Sequence, residues 1–281
     1  MTVADDDLVG EAVTALGLTD EGPIGAVGGQ KAVRRVSRGG QTFVLKVVAL
    51  EFTTDETLKR AEREVQLLAS IDNPNVVKVA SELTELGSPV HAAAWIEEYL
   101  DGDDLGNLIG GTQWSWADAK SMGVQVANGL AAGHEKSVIH RDLSANNVRR
   151  LSNGMYKVLD FGFARHTLRS GLTVAGQPGT RGYLTPEHLN SYSGGPMQMS
   201  DVFQVGILMY TALSGVSPYP WTGDDNEYMT RLRAGAMTPL GTHRPDLSPE
   251  QIELVHRALH GQPARRFRNA AALRAALEAT P

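Results

Sequence analysis

The residues best able to do chemistry stand together at Ile139-His140-Arg141-Asp142-Leu143-Ser144-Ala145-Asn146-Asn147, with Asp160-Phe161-Gly162 beginning thirteen residues after Asn147. They offer two carboxylates and a carboxamide at fixed offsets. In the pattern H-R-D-L-x-x-x-N followed by D-F-G, the first Asp orients a hydroxyl that accepts a phosphoryl group, and the Asn and second Asp hold Mg²⁺ on the phosphates. Asp142, Asn147 and Asp160 occupy those positions. Either tripeptide alone reads as a polar turn between strands. Both in order do not.

Such groups must be carried by a scaffold, and the preceding chain supplies candidate parts. Gly25 to Val36 and, after a Gly39-Gly40 turn, Gln41 to Val48 read as a hairpin with a glycine-bearing loop in front of it. Gly28 and Gly29 would let backbone N–H groups approach phosphate oxygens, or would form a plain turn. Lys46 lies in the middle of an apolar strand, where an uncompensated ammonium is costly, so it needs a partner. The next periodic segment, 55–71, predicts a helix with Thr53-Thr54-Asp55 before it and Asn73-Pro74 after it. Leu58, Ala61, Val65, Leu67, Leu68 and Ile71 form its apolar arc, and Glu64 falls inside that arc. Lys46 and Glu64 solve each other's burial problem; the alternative is that Glu64 reaches water. Upstream, an acidic start and Leu8, Val9, Ala12, Val13 and Leu16 at helical spacing predict a short amphipathic helix that packs on the following domain. Downstream, Asp101 to Leu105 reads as a helix start, Ser115 to Lys136 as a longer helix with Ala119, Met122, Val126, Leu130 and Ala131 at helical spacing, and Ser200 to Gly206 as the opening of the most apolar helix.

Composition narrows the class. With 281 residues and 42% hydrophobic content the chain can bury a sizeable core in one large domain or two lobes. The absence of cysteine excludes disulfides, thiolate metal sites and a Cys nucleophile, and makes a cytoplasmic, reducing compartment the expectation. The longest apolar run, Val205 to Leu213, is interrupted by Gly206 and far shorter than the roughly 20 residues a bilayer requires. Asp5-Asp6-Asp7 stands where a signal peptide would be basic. The formal net charge of −6 comes without a basic block, so no nucleic-acid partner is expected.

On these residues the chain resembles the protein-kinase family, in its bacterial-type serine/threonine branch, over roughly residues 20–278. The resemblance implies an α+β, bilobal fold: a β-rich N-lobe with one long helix over 23–100, a mostly helical C-lobe over 101–281, and residues 1–22 as an N-terminal segment. It implies an ATP-dependent protein serine/threonine kinase with Mg²⁺ or Mn²⁺, acting on proteins and on itself. Nucleotide would be held by Gly28, Gly29, Val33, Val44, Lys46, Glu98 and Leu100, the last two through the backbone of a hinge in Ala92 to Gly102. Asp142 would orient the substrate hydroxyl, with Lys46, Asn147 and Asp160 as its catalytic companions and the latter two as metal ligands. His140 and Phe161 would stack as core, Glu64 would hold Lys46, and Asp201 would accept hydrogen bonds from the catalytic-loop backbone. Gly179-Thr180-Arg181-Gly182-Tyr183-Leu184-Thr185-Pro186-Glu187 matches the G-T-x-x-Y-x-A-P-E ending of an activation segment, with Thr180 favouring Ser/Thr substrates and Glu187 paired to Arg266. Thr167, Ser170 and Thr173 would be phosphoacceptors, with Arg141 and Arg165 as phosphate partners.

Five positions depart from the family pattern, the first being Lys31, which stands where the third glycine of the phosphate loop is usual. Glu97 stands at the gatekeeper position, usually apolar or Thr. Arg149 stands where an apolar floor for adenine is usual. Ser144 replaces the lysine that contacts the γ-phosphate, and Thr185 replaces the Ala of A-P-E. Glu97 is expected to pair with Arg149 or to compete with Glu64 for Lys46. The departures keep a second reading open, a degraded kinase serving as a nucleotide-binding or scaffold module. A small-molecule phosphotransferase is disfavoured, because those enzymes usually carry an H-G-D loop and lack the G-T-x-x-Y-x-x-P-E segment.

Overall fold

A computed structural model describes residues 3–24, 31–49, 62, 65–161, 180–189 and 197–281. These fall into two compact units, one formed by residues up to Asp72 and Val77–Asp101, the other by Asn73–Val76, 102–161 and the residues from Thr180 on.

The first unit is built on a five-stranded antiparallel sheet in the order β1-β2-β3-β5-β4. Its strands are β1 (Thr19–Pro23), β2 (Lys31–Arg38), β3 (Gln41–Ala49), β4 (Thr84–Leu86) and β5 (Ala92–Glu98). Gly39 and Gly40 join β2 to β3 at φ 60° and 79°. Two consecutive left-handed residues make the tight turn whose twist matches a hairpin, and glycine adopts that conformation without steric cost.

Alternation along β3 sends its side chains to two different cores. Leu45 and Val47 join Val36, Ala92, Ala94 and Ile96 against Val9 and Ala12 of helix α1 (Val3–Ala15). The helix expected at the N-terminus is therefore present and covers one face of the sheet. On the opposite face Val48 and Trp95 pack with Val65 and Leu68 of the helical residues 65–69. Burial on both faces explains why β5 reads as an unbroken run, Ala-Ala-Ala-Trp-Ile, with no polar alternation.

The second unit is mostly helical, with a small antiparallel sheet of β6 (Gly102–Asp104), β7 (Val148–Leu151) and β8 (Tyr156–Val158). Here one expectation fails. Asp101 to Leu105 reads as a helix start, whereas the chain forms β6 and then a single 3₁₀ turn, Leu105–Asn107. The cause is tertiary: Gly102 approaches β7 so closely that a Cβ would lie 2.1 Å from the Arg150 carbonyl oxygen. Arg149 then anchors the strand, donating to Asp104 Oδ1 (2.8 Å) and to the Gly102 carbonyl (2.6 Å).

Helix α2 (Trp116–Glu135) begins where expected, with Ser115 accepting from the Asp118 N–H at 3.1 Å as N-cap. A four-residue turn, α3 (Pro186–Leu189), precedes α4 (Gln198–Ser214). Every residue of α4 from Ser200 to Ser214 is buried, which its apolar composition requires. Helices α5 (Asp225–Ala234), α6 (Leu240–His243), α7 (Pro249–Ala258) and α8 (Ala270–Ala279) follow, and α2, α7 and α8 pack on α4. No helix among the described residues is long and apolar enough to cross a membrane.

Candidate active site

The loop bearing Asp142 is held by two polar side chains one turn apart on α4. Asp201, fully buried, accepts the Arg141 N–H on Oδ1 (2.9 Å) and the His140 N–H on Oδ2 (2.9 Å). His134 completes its shell from α2 through Nε2 (2.8 Å). Gln204, also buried, accepts the Leu143 N–H on Oε1 (3.2 Å) and donates through Nε2 to the carbonyls of Tyr183 (3.0 Å) and Arg141 (3.4 Å). Residues on both sides of Asp142 are thus tied to one rigid helix. Arg141 itself sits in the left-handed region at φ 67°, a conformation a non-glycine residue keeps only when its surroundings impose it.

Asp142 is almost wholly buried, and its Oδ1 accepts both the backbone N–H (2.7 Å) and the hydroxyl (2.9 Å) of Thr180. His140 packs against Phe161 with ring centroids 5.0 Å apart and the planes tilted by 37°, not stacked, and it bonds the Leu159 carbonyl through Nε2 (2.8 Å). The Asn147 amide donates to the Asp142 carbonyl (2.8 Å), while the Asn147 carbonyl accepts from the Leu159 N–H (2.8 Å), one residue before Asp160. With its N–H₂ end committed, Asn147 offers its side-chain oxygen, and Asp160 adds a carboxylate from a left-handed residue at φ 49°. An amide oxygen and a carboxylate suit a hard divalent cation that keeps waters and phosphate oxygens as its other ligands. Ser144 is buried, and its carbonyl closes the 3₁₀ turn Ala145–Asn147.

The segment ending in Glu187 is locked from below. Arg266 uses all five of its N–H donors. Two go to Glu187 (2.7 and 3.0 Å), and the others to the carbonyls of Met199, His260 and Gly261. Its guanidinium lies 4.6 Å from the Phe203 ring, and Ser200 donates a further hydrogen bond to Glu187 (2.9 Å). Burial pushes the Glu187 carboxyl up, but the Arg266 pairing outweighs it and holds the group below the usual glutamate range.

In the first unit, the strand register sets Lys46 opposite Val33 on β2 and Trp95 on β5, with Val44 opposite Glu97. These residues share the sheet face that α1 does not cover. Lys46 Nζ lies 2.5 Å from Glu97 Oε2, both side chains buried, and the Trp95 indole donates to Glu97 Oε1 (3.0 Å). Of the two roles foreseen for Glu97, contact with Lys46 is the one observed, while Arg149 binds Asp104. Glu98 accepts the Lys78 N–H on its carboxylate (2.8 Å) and donates its own N–H to the Lys78 carbonyl (2.9 Å), which fixes the backbone leading to buried Leu100. Gly28, Gly29, Glu64 and Thr173, with Gly162, Arg165, Thr167 and Ser170, lie outside the described residues.

Sequence reasoning passed over Gln204 and His188. A carboxamide three residues after Asp201 in the most apolar helix was a visible signal, since a buried amide must find partners. His188 carried no such signal, because its contacts depend on how the chain turns at Pro186.

A protein kinase domain profile matches residues 19–277, and the chain belongs to that family. Its relatives include a probable serine/threonine-protein kinase of Streptomyces coelicolor, 29% identical over 92% of this chain and 39% of the relative. The serine/threonine-protein kinase PknA of Mycobacterium tuberculosis is 27% identical over 83% of this chain and 54% of its own length. A serine/threonine-protein kinase of Myxococcus xanthus is 31% identical over 89% of this chain and 48% of its own. The chain therefore spans about half or less of these relatives.

Removing the Arg266 guanidinium strands a buried carboxylate, at a cost of about 3–5 kcal/mol. In Arg266→Met the melting temperature should fall by several degrees at pH 7. A carboxyl held low stabilises above its unfolded pKa and loses that contribution as pH falls; unpaired and buried, it titrates high instead. The gap between wild type and variant should thus narrow from pH 7 to pH 4, read by thermal melts across pH.

Proposed function

We propose that this chain is an ATP- and Mg²⁺-dependent protein kinase that transfers the γ-phosphoryl group to serine and threonine hydroxyls of protein substrates, including its own. The observation that carries the reading is the double hydrogen bond from Thr180 to one oxygen of Asp142. It orients the carboxylate at the start of the segment that would receive a hydroxyl-bearing substrate, as positioning-dominated phosphoryl transfer demands. Family membership and the names of the relatives support the same class.

In this reading the substrate oxygen attacks the γ-phosphorus, its proton passes to Asp142, the bond to the β-phosphate oxygen breaks, and ADP leaves. Asn147 and Asp160 would hold the divalent cation, which neutralises charge on the phosphates. Lys46 would bind the α/β-phosphates, with Val33 and Val44 as apolar contacts for the base. The backbone of Glu98 and Leu100 would read adenine, and Gly28 and Gly29 would approach the phosphates. Glu64 is proposed as a further partner of Lys46, and Thr173 as a regulatory phosphoacceptor.

Incubation with γ-labelled ATP and Mg²⁺ should label the chain or a generic protein on Ser and Thr. Asp142→Asn should reduce the rate by about 100-fold or more, whereas labelling unaffected by that change would refute the assignment. Neutralising Glu97 removes a carboxylate that opposes phosphate at Lys46. Glu97→Gln, which still accepts from Trp95, should therefore bind Mg·ATP about tenfold more tightly by calorimetry; weaker binding would show instead that Glu97 serves the nucleotide.

A further inference from the structure

The Thr185 departure from the family pattern is left unused by the proposed chemistry, and the structure gives it a partner. The His188 ring is buried between the end of the activation segment and the catalytic loop. Its Nδ1 accepts the Thr185 backbone N–H (3.1 Å), with the Thr185 hydroxyl on the same nitrogen (2.8 Å). A nitrogen that accepts an amide N–H carries no proton, so the proton of the neutral ring resides on Nε2. That nitrogen lies 3.2 Å from the Arg141 carbonyl, to which it donates. Burial pushes the His188 pKa down against the pull of Glu187, Asp142 and Asp201, which favours the neutral ring.

The Arg141 carbonyl consequently receives donors from two elements, His188 and Gln204. The Arg141 N–H is held by Asp201. Arg141 is the left-handed residue just before Asp142, and its carbonyl belongs to the peptide that joins the two, so a change in that peptide's orientation moves the Asp142 carboxylate.

We infer that His188 is a positioning residue for phosphoryl transfer: Thr185 fixes its tautomer, and its Nε2–H holds the Arg141 carbonyl so that Asp142 faces the substrate hydroxyl. The link also makes the orientation of Asp142 depend on the docking of residues 185–188, a coupling of substrate segment to catalytic loop inside one unit. It rests on the kinase reading above.

Two near-isosteres separate the ring nitrogens. An Asn amide reaches as far as Nδ1 and a Gln amide as far as Nε2. In the full chain, His188→Gln keeps a donor to Arg141, and its kcat for protein phosphorylation should stay within about threefold of wild type. His188→Asn keeps only the Thr185 side, and its kcat should fall by about 10- to 100-fold, the scale of a misplacement near 1 Å. The KM for ATP should be unchanged in both. His188→Leu, which fills the pocket without polar atoms, should lose kcat as Asn does and guards against an Asn variant that does not fold. Equal loss in Gln and Asn, full activity in all three, or a change in KM with kcat retained would overturn the inference while leaving the kinase reading intact. Absence of transfer by the unaltered chain would remove both.

Discussion

The second unit depends on a buried carboxylate. Asp201 accepts hydrogen bonds from three donors brought by different parts of the chain, the His140 and Arg141 amides and the His134 ring. An anion with no solvent exposure survives only when its lone pairs are occupied. That requirement couples the fold to the loop: α4 can be buried as it is only if the loop bearing Asp142 wraps over Asp201. Gln204 repeats the arrangement one turn later, and both it and His188 bond the Arg141 carbonyl. The loop geometry is therefore imposed by partner saturation, and the left-handed Arg141 is its visible strain.

The same accounting applies to the first unit at smaller scale. Lys46 and Glu97 share a sheet face with Trp95, and each has a partner among the others, so an apolar core carries a charge pair without an orphan. The sheet can present these groups on one face because α1 seals the other. The N-terminal helix thus works on the candidate site indirectly, by making β3 and β5 two-sided.

Much of this was legible in the residues. The spacing of Asp142, Asn147 and Asp160, the hairpin turning at Gly39-Gly40 and the helices from Ser115 and near Ser200 follow from local pattern, and the Arg266–Glu187 pair from the resemblance to the kinase family. What escaped detection depended on approach of distant segments. Asp103-Asp104-Leu105 looks like a helix start in isolation, yet β7 captures it as a strand because Gly102 allows backbone contact with Arg150. Glu97 had two plausible cations, and only the register that places β3 beside β5 selects Lys46. His188 could not be found at all, since a lone histidine gives no sign of which carbonyl it will meet.

Asp201 holds the loop that bears Asp142 by accepting two of its backbone N–H groups. Steady-state phosphorylation by Asp201→Asn tests it, because the substituted amide presents N–H groups to donors that need an acceptor. The variant should keep its affinity for Mg·ATP while kcat falls by about tenfold or more. Wild-type turnover from a folded Asp201→Asn protein would contradict it.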